Sequence, residues 1–114
     1  MKADALRGHL DALLLAVVAD GPKHGYAILE ALKERSDEAF DLQEGTAYPA
    51  LHRLERAGLL SSSWTEAGGR RRRVYVLTTE GRAHLKEQTS QWQRFATAVS
   101  QVLTPARKPG TARS

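Results

Sequence analysis

The stretch from residue 45 to residue 60 constrains the fold of this 114-residue chain more than any other. Small and aliphatic side chains recur in it at helical spacing, at Ala47, Ala50, Leu51, Leu54 and Ala57. This periodicity predicts a short helix with one apolar face. Pro49 is expected in the first turn, where its missing N–H removes no intrahelical hydrogen bond. Gly58 is expected to end the helix, because glycine adopts a positive φ without strain.

The polar side chains of the same helix fall largely off its apolar stripe. They are Tyr48, His52, Arg53, Glu55 and Arg56. A small-residue inner face with a basic, hydrogen-bonding outer face suits insertion into a DNA major groove. Most short amphipathic helices only cover a core, so the segments that follow must decide between the two interpretations.

A basic hairpin follows the helix. The sequence predicts a strand at residues 59–65, a loop at 66–69 and a second strand at 70–77 that opens with four consecutive arginines. A helix, a glycine and a hairpin with a basic tip form the order of a winged helix-turn-helix. A charged edge that discourages aggregation is the alternative explanation of the arginines. Because no carboxylate lies among them, we favour contact with DNA phosphates, for which arginine is the usual ligand.

Several motifs in this region carry a resemblance to a known family. They are Thr46-x-Tyr48-Pro49-x-Leu51-x-Arg53-Leu54-Glu55-x-x-Gly58-Leu59-Leu60, Gly68-Gly69-Arg70-Arg71-Arg72 and Tyr75-x-Leu77-Thr78-x-x-Gly81. A further motif upstream is Asp20-Gly21-Pro22-x-His24-Gly25-Tyr26-x-Ile28. With these motifs, residues 9–103 resemble the PadR family of bacterial transcriptional regulators. The chain length is similar to that of the small subfamily, which has a single C-terminal helix.

The resemblance implies an α+β, mainly α fold, namely a winged helix-turn-helix with a long C-terminal dimerisation helix. We expect the DNA-binding domain at residues 1–78, the dimerisation helix at 79–104 and a disordered basic tail at 105–114. The implied function is that of a cytoplasmic DNA-binding regulator, a homodimeric repressor that binds an inverted-repeat operator. A small molecule, with flat aromatic compounds as the candidates, would release it. No enzymatic activity and no cofactor are expected.

The residues expected to contact DNA form two sets. Those expected to read the bases are Thr46, Tyr48, His52 and Arg53. Those expected to contact phosphate are Lys23, Arg70, Arg71 and Arg72. His24 is expected either to contact phosphate or to serve as a capping or core residue, and the sequence leaves both open. Tyr26 and Trp64 are expected to pack inside the domain, and Leu42 to pair with the hairpin as a third strand.

The last predicted helix, which Thr78 or Thr79 would cap, carries an apolar seam. Its members repeat at steps of three and four residues and are Leu85, Gln88, Trp92, Phe95, Val99 and Val102. About 25 residues make a rod of about 37 Å, longer than a winged domain requires, so the seam is expected to need a second protein surface. The predicted dimer interface is Leu85, Trp92, Phe95, Val99 and Val102.

Trp92 has two interpretations within this seam. It is either an interface anchor on the partner chain or a stacking surface for a flat aromatic effector. The resemblance supports the second, because some small PadR-like regulators use a tryptophan in a matching place on the last helix in this way. The residues that would complete the effector site are Gln88, Phe95, Leu10 and Leu14.

The distribution of charge indicates an anionic partner. Residues 1–50 carry five Lys or Arg and nine Asp or Glu, a net of −4, whereas residues 51–114 carry twelve and four, a net of +8. The basic half begins within the predicted DNA-contacting helix, so one surface is expected to meet DNA. The absence of cysteine excludes disulfides and thiolate metal sites. The apolar run at residues 13–19 is too short to span a bilayer, and no membrane partner is expected.

Two other functions stay open at this point. A winged-helix module could use the basic hairpin to bind an acidic protein, and binding to its own promoter would distinguish the two. A metal sensor could use Glu80 and His84, which share a face of the last helix. Pairing of side chains on the helix surface is the commoner explanation of that spacing, so no metal site is predicted.

Overall fold

The computed structural model describes residues 9–106, which contain four helices and three strands. They are α1 (Leu10–Val18), β1 (Lys23–His24), α2 (Gly25–Arg35), α3 (Glu44–Arg56), β2 (Leu60–Ala67), β3 (Arg70–Leu77) and α4 (Thr79–Leu103). The strands form an antiparallel sheet of order β1-β3-β2. The predicted fold class, a mainly helical winged helix-turn-helix, is confirmed. Residues 1–8 and 107–114, and with them most of the predicted tail, lie outside the described residues.

Helices α1, α2 and α3 and the base of the hairpin enclose the core. Their fully buried side chains are Leu14, Leu15, Val17, Val18, Ile28, Leu51, Leu54 and Leu60. On α3, the short side chains of Ala47 and Ala50 are also buried and let the helix lie close to its neighbours. Because this face of α3 is fixed against the core, the polar side chains of the opposite face are held at the surface.

The third strand of the sheet is β1, so the prediction that Leu42 supplies it is wrong. Lys23 lies opposite Tyr75, and His24 lies opposite Val74. A strand of two residues shows no alternation that could have indicated it in the sequence. Leu42 instead packs, partly buried, against the core.

Strands β2 and β3 form the wing and are joined by a tight turn. Leu60 pairs with Leu77 at the base and Ala67 with Arg70 at the tip. The turn consists of Gly68 and Gly69 alone, with φ of +61° and +78°. Two positive φ values in succession are typical of a two-residue hairpin turn, and glycine adopts them without strain. The loop is therefore two residues shorter than predicted.

Helix α3 ends as predicted but begins earlier. Pro49 is its sixth residue rather than part of the first turn, so residue 49 offers no N–H to the carbonyl of Gly45. At the other end Gly58 has a φ of +82°. The N–H of Leu59 donates to the carbonyl of Leu54 at 3.0 Å, which completes a Schellman cap.

The start of α4 is locked to the end of α3. The hydroxyl of Thr78 accepts a hydrogen bond from the N–H of Gly81 at 2.9 Å and donates to the carbonyl of Gly58 at 2.7 Å. The N–H of Thr78 also donates to the carbonyl of Leu59 at 3.2 Å. A Cβ at Gly81 would overlap the carbonyl oxygen of Leu59, so only glycine allows this approach. Thr78 therefore caps α4 and also joins its start to the end of α3 by hydrogen bonds.

Helix α4 is 25 residues long and extends away from the body of the domain. Leu85, in its first half, packs against the core. Farther along, the side chains of Phe95 and Val102 are 59 % and 82 % exposed. Although α4 is long, neither it nor another helix within residues 9–106 has the length and apolarity needed to cross a membrane.

Candidate nucleic-acid interface

The outward face of α3 is polar. Thr46, His52, Arg53 and Arg56 are exposed, and Tyr48 is half-buried. His52 and Arg56 lie one helical turn apart on the side opposite the core. Arg56, which shares this exposed face with His52, was not among the predicted DNA contacts.

Arg53 lies on the flank of α3 that faces α1. Its Nη2 is 2.5 Å from Oδ1 of Asp11, and the two side chains are 54 % and 43 % exposed. Successive helical residues are rotated by about 100°, so Arg53 projects in a different direction from His52. An ion pair this exposed contributes at most about 1 kcal/mol, so DNA could compete with Asp11 for the guanidinium.

Tyr48 packs against the start of α2. A Cβ at Gly25 would lie 2.8 Å from Cε1 of Tyr48, so this approach also requires glycine. Burial, the carboxylate of Glu44 and the phenol of Tyr26 raise the pKa of Tyr48, in that order. Its hydroxyl is therefore protonated at neutral pH and can donate a hydrogen bond. Tyr26 is 54 % exposed, so the prediction that it packs in the core is wrong.

The four arginines of β3 alternate between the two faces of the wing. Arg71 and Arg73 share a face with Trp64, whereas Arg70 and Arg72 lie on the other. On that second face, Nη1 of Arg72 is 2.7 Å from Nε2 of His24. Guanidinium groups therefore lie on both faces of the wing, and those on one face have different side-chain neighbours from those on the other.

His24 connects β1, α2 and the wing. Its Nδ1 accepts a hydrogen bond from the N–H of Ala27 at 3.4 Å, which caps α2, while its Nε2 faces Arg72. A neutral imidazole has only one acceptor nitrogen, so these two donors compete for it. Of the roles that the sequence left open, capping is present in the chain, and phosphate contact stays a prediction.

Trp64 projects from the wing, so the prediction that it packs between wing and core is wrong. The residue is 55 % exposed, and its ring lies 4.7 Å from Cζ of Arg71 and 5.4 Å from Cζ of Arg73. Nη2 of Arg73 is also 3.4 Å from Oε2 of Glu55 on α3. The same carboxylate accepts a hydrogen bond from the hydroxyl of Ser62 at 2.7 Å. These contacts join the wing to α3.

Lys23 is separated from the other predicted phosphate contacts. Its Nζ donates to the carbonyl of Val17 at 3.2 Å, at the end of α1. Because residues alternate along β1, Lys23 also lies on the face of the sheet opposite to His24.

An open cleft of about 610 Å³ lies between the start of α2, the outer edge of α3 and the wing. The histidine, tyrosine and arginine residues that line it are His24, Tyr26, Tyr48, His52, Arg70, Arg72, Arg73 and Tyr75. Glu44 is the acidic residue in this lining, so positive charge predominates and an anion is favoured there. The predicted contacts that do not line the cleft are Lys23, Thr46, Arg53 and Arg71.

A second candidate site surrounds Trp92 on α4, which is 50 % exposed. The edge of its ring meets His9 with centroids 5.1 Å apart, and Phe95 lies 5.9 Å away. His9 was missing from the predicted effector site. Leu14 is fully buried in the core, so its side chain is not available to an effector in this chain. The predicted interface and effector residues that are half-buried are Leu10, Leu85, Gln88 and Val99.

Glu80 and His84 lie on the first turns of α4. Within residues 9–106, no group of three or more His, Asp or Glu side chains is arranged to hold a metal ion. A carboxylate in the first turn of a helix interacts favourably with the helix dipole, which explains Glu80 without a metal.

Comparisons with known proteins agree with this architecture. Residues 14–87 match the transcriptional regulator PadR-like family. A transcriptional regulator of Mycobacterium tuberculosis is 40 % identical over 86 residues, which are 75 % of this chain and 78 % of that protein.

Solved structures extend the similarity to most of the chain. A transcriptional regulator from Clostridium thermocellum superposes with a TM-score of 0.82 at 28 % identity, covering 91 % of this chain and 99 % of that one. A PadR family regulator from Eggerthella lenta gives a TM-score of 0.75 at 33 % identity, covering 90 % and 88 % of the two chains. This chain belongs to the PadR-like family of DNA-binding transcriptional regulators.

Proposed function

We propose that this protein is a homodimeric repressor that binds an inverted-repeat operator and is released by a small, flat aromatic effector. Residues 1–78 of each chain would contact one half-site, and residues 79–104 would form the dimer. The proposal includes a cytoplasmic location, where a regulator of this kind would meet its operator.

The observation that carries the proposal is the basic cleft between α2, α3 and the wing. Tyr48 and His52 of α3 meet Arg70 and Arg72 of β3 around it. With α3 in the major groove, the wing would reach the flanking phosphates, for which arginine is the preferred ligand. Thr46 and Arg53, which lie two helical turns apart on the same edge of α3, would add base contacts.

The apolar surface of α4 supports the dimer. Phe95, Val102 and Leu103 are all more than half exposed and lie beyond the part of α4 that packs on the core. A second copy of α4, related by a two-fold axis, would cover them. The two α3 helices of such a dimer would meet half-sites about 34–36 Å apart, or a multiple of that distance.

The half-exposed ring of Trp92 supports the effector. An aromatic compound stacked on it would meet His9 and Phe95 and would lie where the two α4 helices approach each other. A change in the angle of α4 would reach α3 through the hydrogen bonds of Thr78 to Gly58 and Leu59. Effector binding and DNA binding would thereby be coupled.

A DNA-binding experiment tests the proposal. Fluorescence anisotropy would compare a duplex from the upstream region of the protein's own gene with a scrambled duplex, at several salt concentrations. We expect tighter binding to the first, and a log–log salt slope that falls by about two units when Arg71 and Arg72 are both changed to alanine.

Arg94→Ala is the matched control, because Arg94 is an exposed arginine on α4 that contacts Ser90. It should leave the slope unchanged. An unchanged slope in the Arg71→Ala, Arg72→Ala double variant would remove the wing from the interface. Equal binding to both duplexes would refute a specific operator in that region.

The effector needs its own test. Flat aromatic compounds would be titrated while the fluorescence of Trp92 is followed in a Trp64→Phe background. We expect quenching by a compound that also weakens operator binding, and loss of both effects in Trp92→Ala, which should remain a DNA-binding dimer. A Trp92→Ala variant that dissociates into monomers, with no quenching by any compound, would leave Trp92 as an interface anchor.

A further inference from the structure

We infer that Trp64 is a positioning residue for DNA binding. Its exposed indole orients the guanidinium of Arg71 toward a backbone phosphate and links the wing, through Arg73, to α3. The inference rests on the proposed DNA-binding function and identifies the residue that organises the wing for it.

Burial does not explain a tryptophan at this place. Trp64 is 55 % exposed, and its neighbours Ser63 and Thr65 in β2 are exposed polar residues. The ring instead has two cationic neighbours, Arg71 at 4.7 Å and Arg73 at 5.4 Å from its centroid. Both distances are within the range in which a guanidinium is attracted to an indole face. The ring therefore acts as a surface on which arginines rest.

Stacking on an aromatic ring leaves an arginine able to bind a phosphate at the same time. A guanidinium that lies over a ring uses its π face, whereas its N–H donors project from its edge. Arg71 makes no ion pair within residues 9–106, so these donors remain available to a phosphate. Arg72 differs, because one of its N–H groups is directed at His24.

Arg73 has the other role in this arrangement. It lies directly opposite Trp64 in the sheet, and its Nη2 is 3.4 Å from the carboxylate of Glu55. Glu55 belongs to α3, so Arg73 connects the indole to the helix expected to enter the major groove. Glu55, Arg73, Trp64 and Arg71 then form a continuous series of contacts from α3 to the outer half of the wing.

The consequence for binding is preorganisation. An arginine already held in one orientation loses less conformational freedom when it meets a phosphate than a freely moving one. Removing the indole should therefore weaken binding although the charge of the wing is unchanged. This combination, lower affinity at constant salt slope, separates a positioning residue from a phosphate ligand.

A double-mutant cycle tests the inference. Trp64→Ala should weaken operator binding about two- to tenfold, as expected when one long side chain loses its order. The loss should largely disappear when Arg71→Ala is already present, because the guanidinium that the ring orients toward phosphate is then absent. It should persist beside Arg70→Ala, since Arg70 lies on the other face of the wing. Arg71→Ala should lower the salt slope by about one unit, and Trp64→Ala should leave it unchanged.

Two further variants separate stacking from simple bulk. Trp64→Leu keeps an apolar side chain without a π face and should bind as weakly as Trp64→Ala, whereas Trp64→Tyr should bind nearly as well as the wild type. In the free protein, NMR should show the side-chain protons of Arg71 shifted upfield by the indole in the wild type but not in Trp64→Leu. Both variants keep a large side chain, so they remain informative if Trp64→Ala fails to fold.

The results distinguish failure of the inference from failure of the proposed function. A wild-type protein that binds no duplex would refute the DNA-binding role and this positioning role with it. If the wild type binds, two results would overturn the inference alone. One is unchanged affinity in Trp64→Leu, and the other is full additivity of Trp64→Ala with Arg71→Ala, which would indicate that the indole contacts DNA by itself.

Discussion

The wing and the far half of α4 both expose large side chains, but they hold them differently. On the wing, Arg71, Arg72 and Arg73 each contact another side chain of the same domain. On α4, Phe95 and Val102 are 59 % and 82 % exposed and lie beyond the segment that packs on the core. The first surface is organised within one chain, whereas the second is apolar and uncovered.

The difference follows from the chemistry of the two surfaces. Guanidinium groups are stable in water, so contacts inside the chain can order them while their N–H donors stay available. Aliphatic and aromatic side chains are stabilised by leaving water, and a lone helix offers them no second layer. A single chain therefore organises the basic side chains of the wing by itself, whereas the apolar side chains in the far half of α4 stay exposed in one chain.

The largest effect is expected when the far half of α4 is made polar. Under the proposed function, Phe95→Asp with Val102→Asp should yield a monomer, because a dimer would bury four unpaired carboxylates, two from each chain. Operator affinity should fall about 10²–10⁴-fold through loss of bivalent binding. Sedimentation velocity and anisotropy would measure both effects.

Thr97→Asp is the control for this change, since Thr97 is exposed and lies off the apolar seam. It should remain dimeric and bind DNA nearly normally. A Phe95→Asp, Val102→Asp variant that stays dimeric would show that the exposed surface of α4 is not the interface.

The next largest effect is expected where the two regions join. Gly81→Ala forces a methyl group against the carbonyl oxygen of Leu59, and relief requires the backbone to shift. We expect a loss of about 2–3 kcal/mol in the free energy of unfolding and a fall of about 10–20 °C in Tm. Gly45→Ala is the control, because open space surrounds this helical glycine, and there alanine should be neutral or stabilising. Equal Tm values for the two variants would refute the tight junction.

A smaller effect is expected at Arg53 on α3, and it should distinguish contact with a base from contact with a phosphate. Arg53→Ala should cost about 1–3 kcal/mol on the operator and less on random DNA if Arg53 contacts a base edge. Asp11→Asn, which removes its partner in the free chain, should change stability by less than about 1 kcal/mol and should not weaken DNA binding. Equal losses on both duplexes in Arg53→Ala would assign Arg53 to a phosphate.

Local signals made much of this architecture predictable from sequence. The 3.6-residue period of α3, the glycine after it and the glycine pair in the hairpin each depend on neighbouring residues only. The missed strand β1 depends on a distant partner, since two residues become a strand only by pairing with Tyr75 and Val74. The family and the fold class are confirmed, whereas the contacts with DNA and effector stay predictions.

The surroundings of Trp64 were unpredictable for a related reason. A four-residue loop at 66–69 would have placed Trp64 opposite Arg71, whereas the two-residue turn places it opposite Arg73. Pairing in a hairpin depends on turn length, so a small error in the loop changes every contact along the wing. An apolar pattern in the sequence also does not tell whether a side chain packs in the core of its own chain or against another protein surface. Leu14 and Leu85, which were predicted for the effector site and the dimer interface, pack in or against the core.

The smallest effect concerns the base of the wing, where it enters the core. Burial raises the pKa of Tyr75 above the usual value for tyrosine, and Arg73, which acts against this shift, does not cancel it. The folded state therefore holds this proton more tightly than the unfolded state. Tyr75 contributes stability that is fully present below pH about 10 and is lost as the pH rises through the folded pKa.

Tyr75→Phe removes this titration. Urea unfolding between pH 8 and 11 should therefore show a smaller decline in the free energy of unfolding for Tyr75→Phe than for the wild type. Tyr26→Phe is the matched control, because it removes a phenol that is 54 % exposed and leaves the buried phenol of Tyr75 in place. A decline in Tyr75→Phe as steep as that of the wild type would mean that the base of the wing opens to water. The difference between an internally organised wing and an uncovered α4 would then be smaller than the contacts indicate.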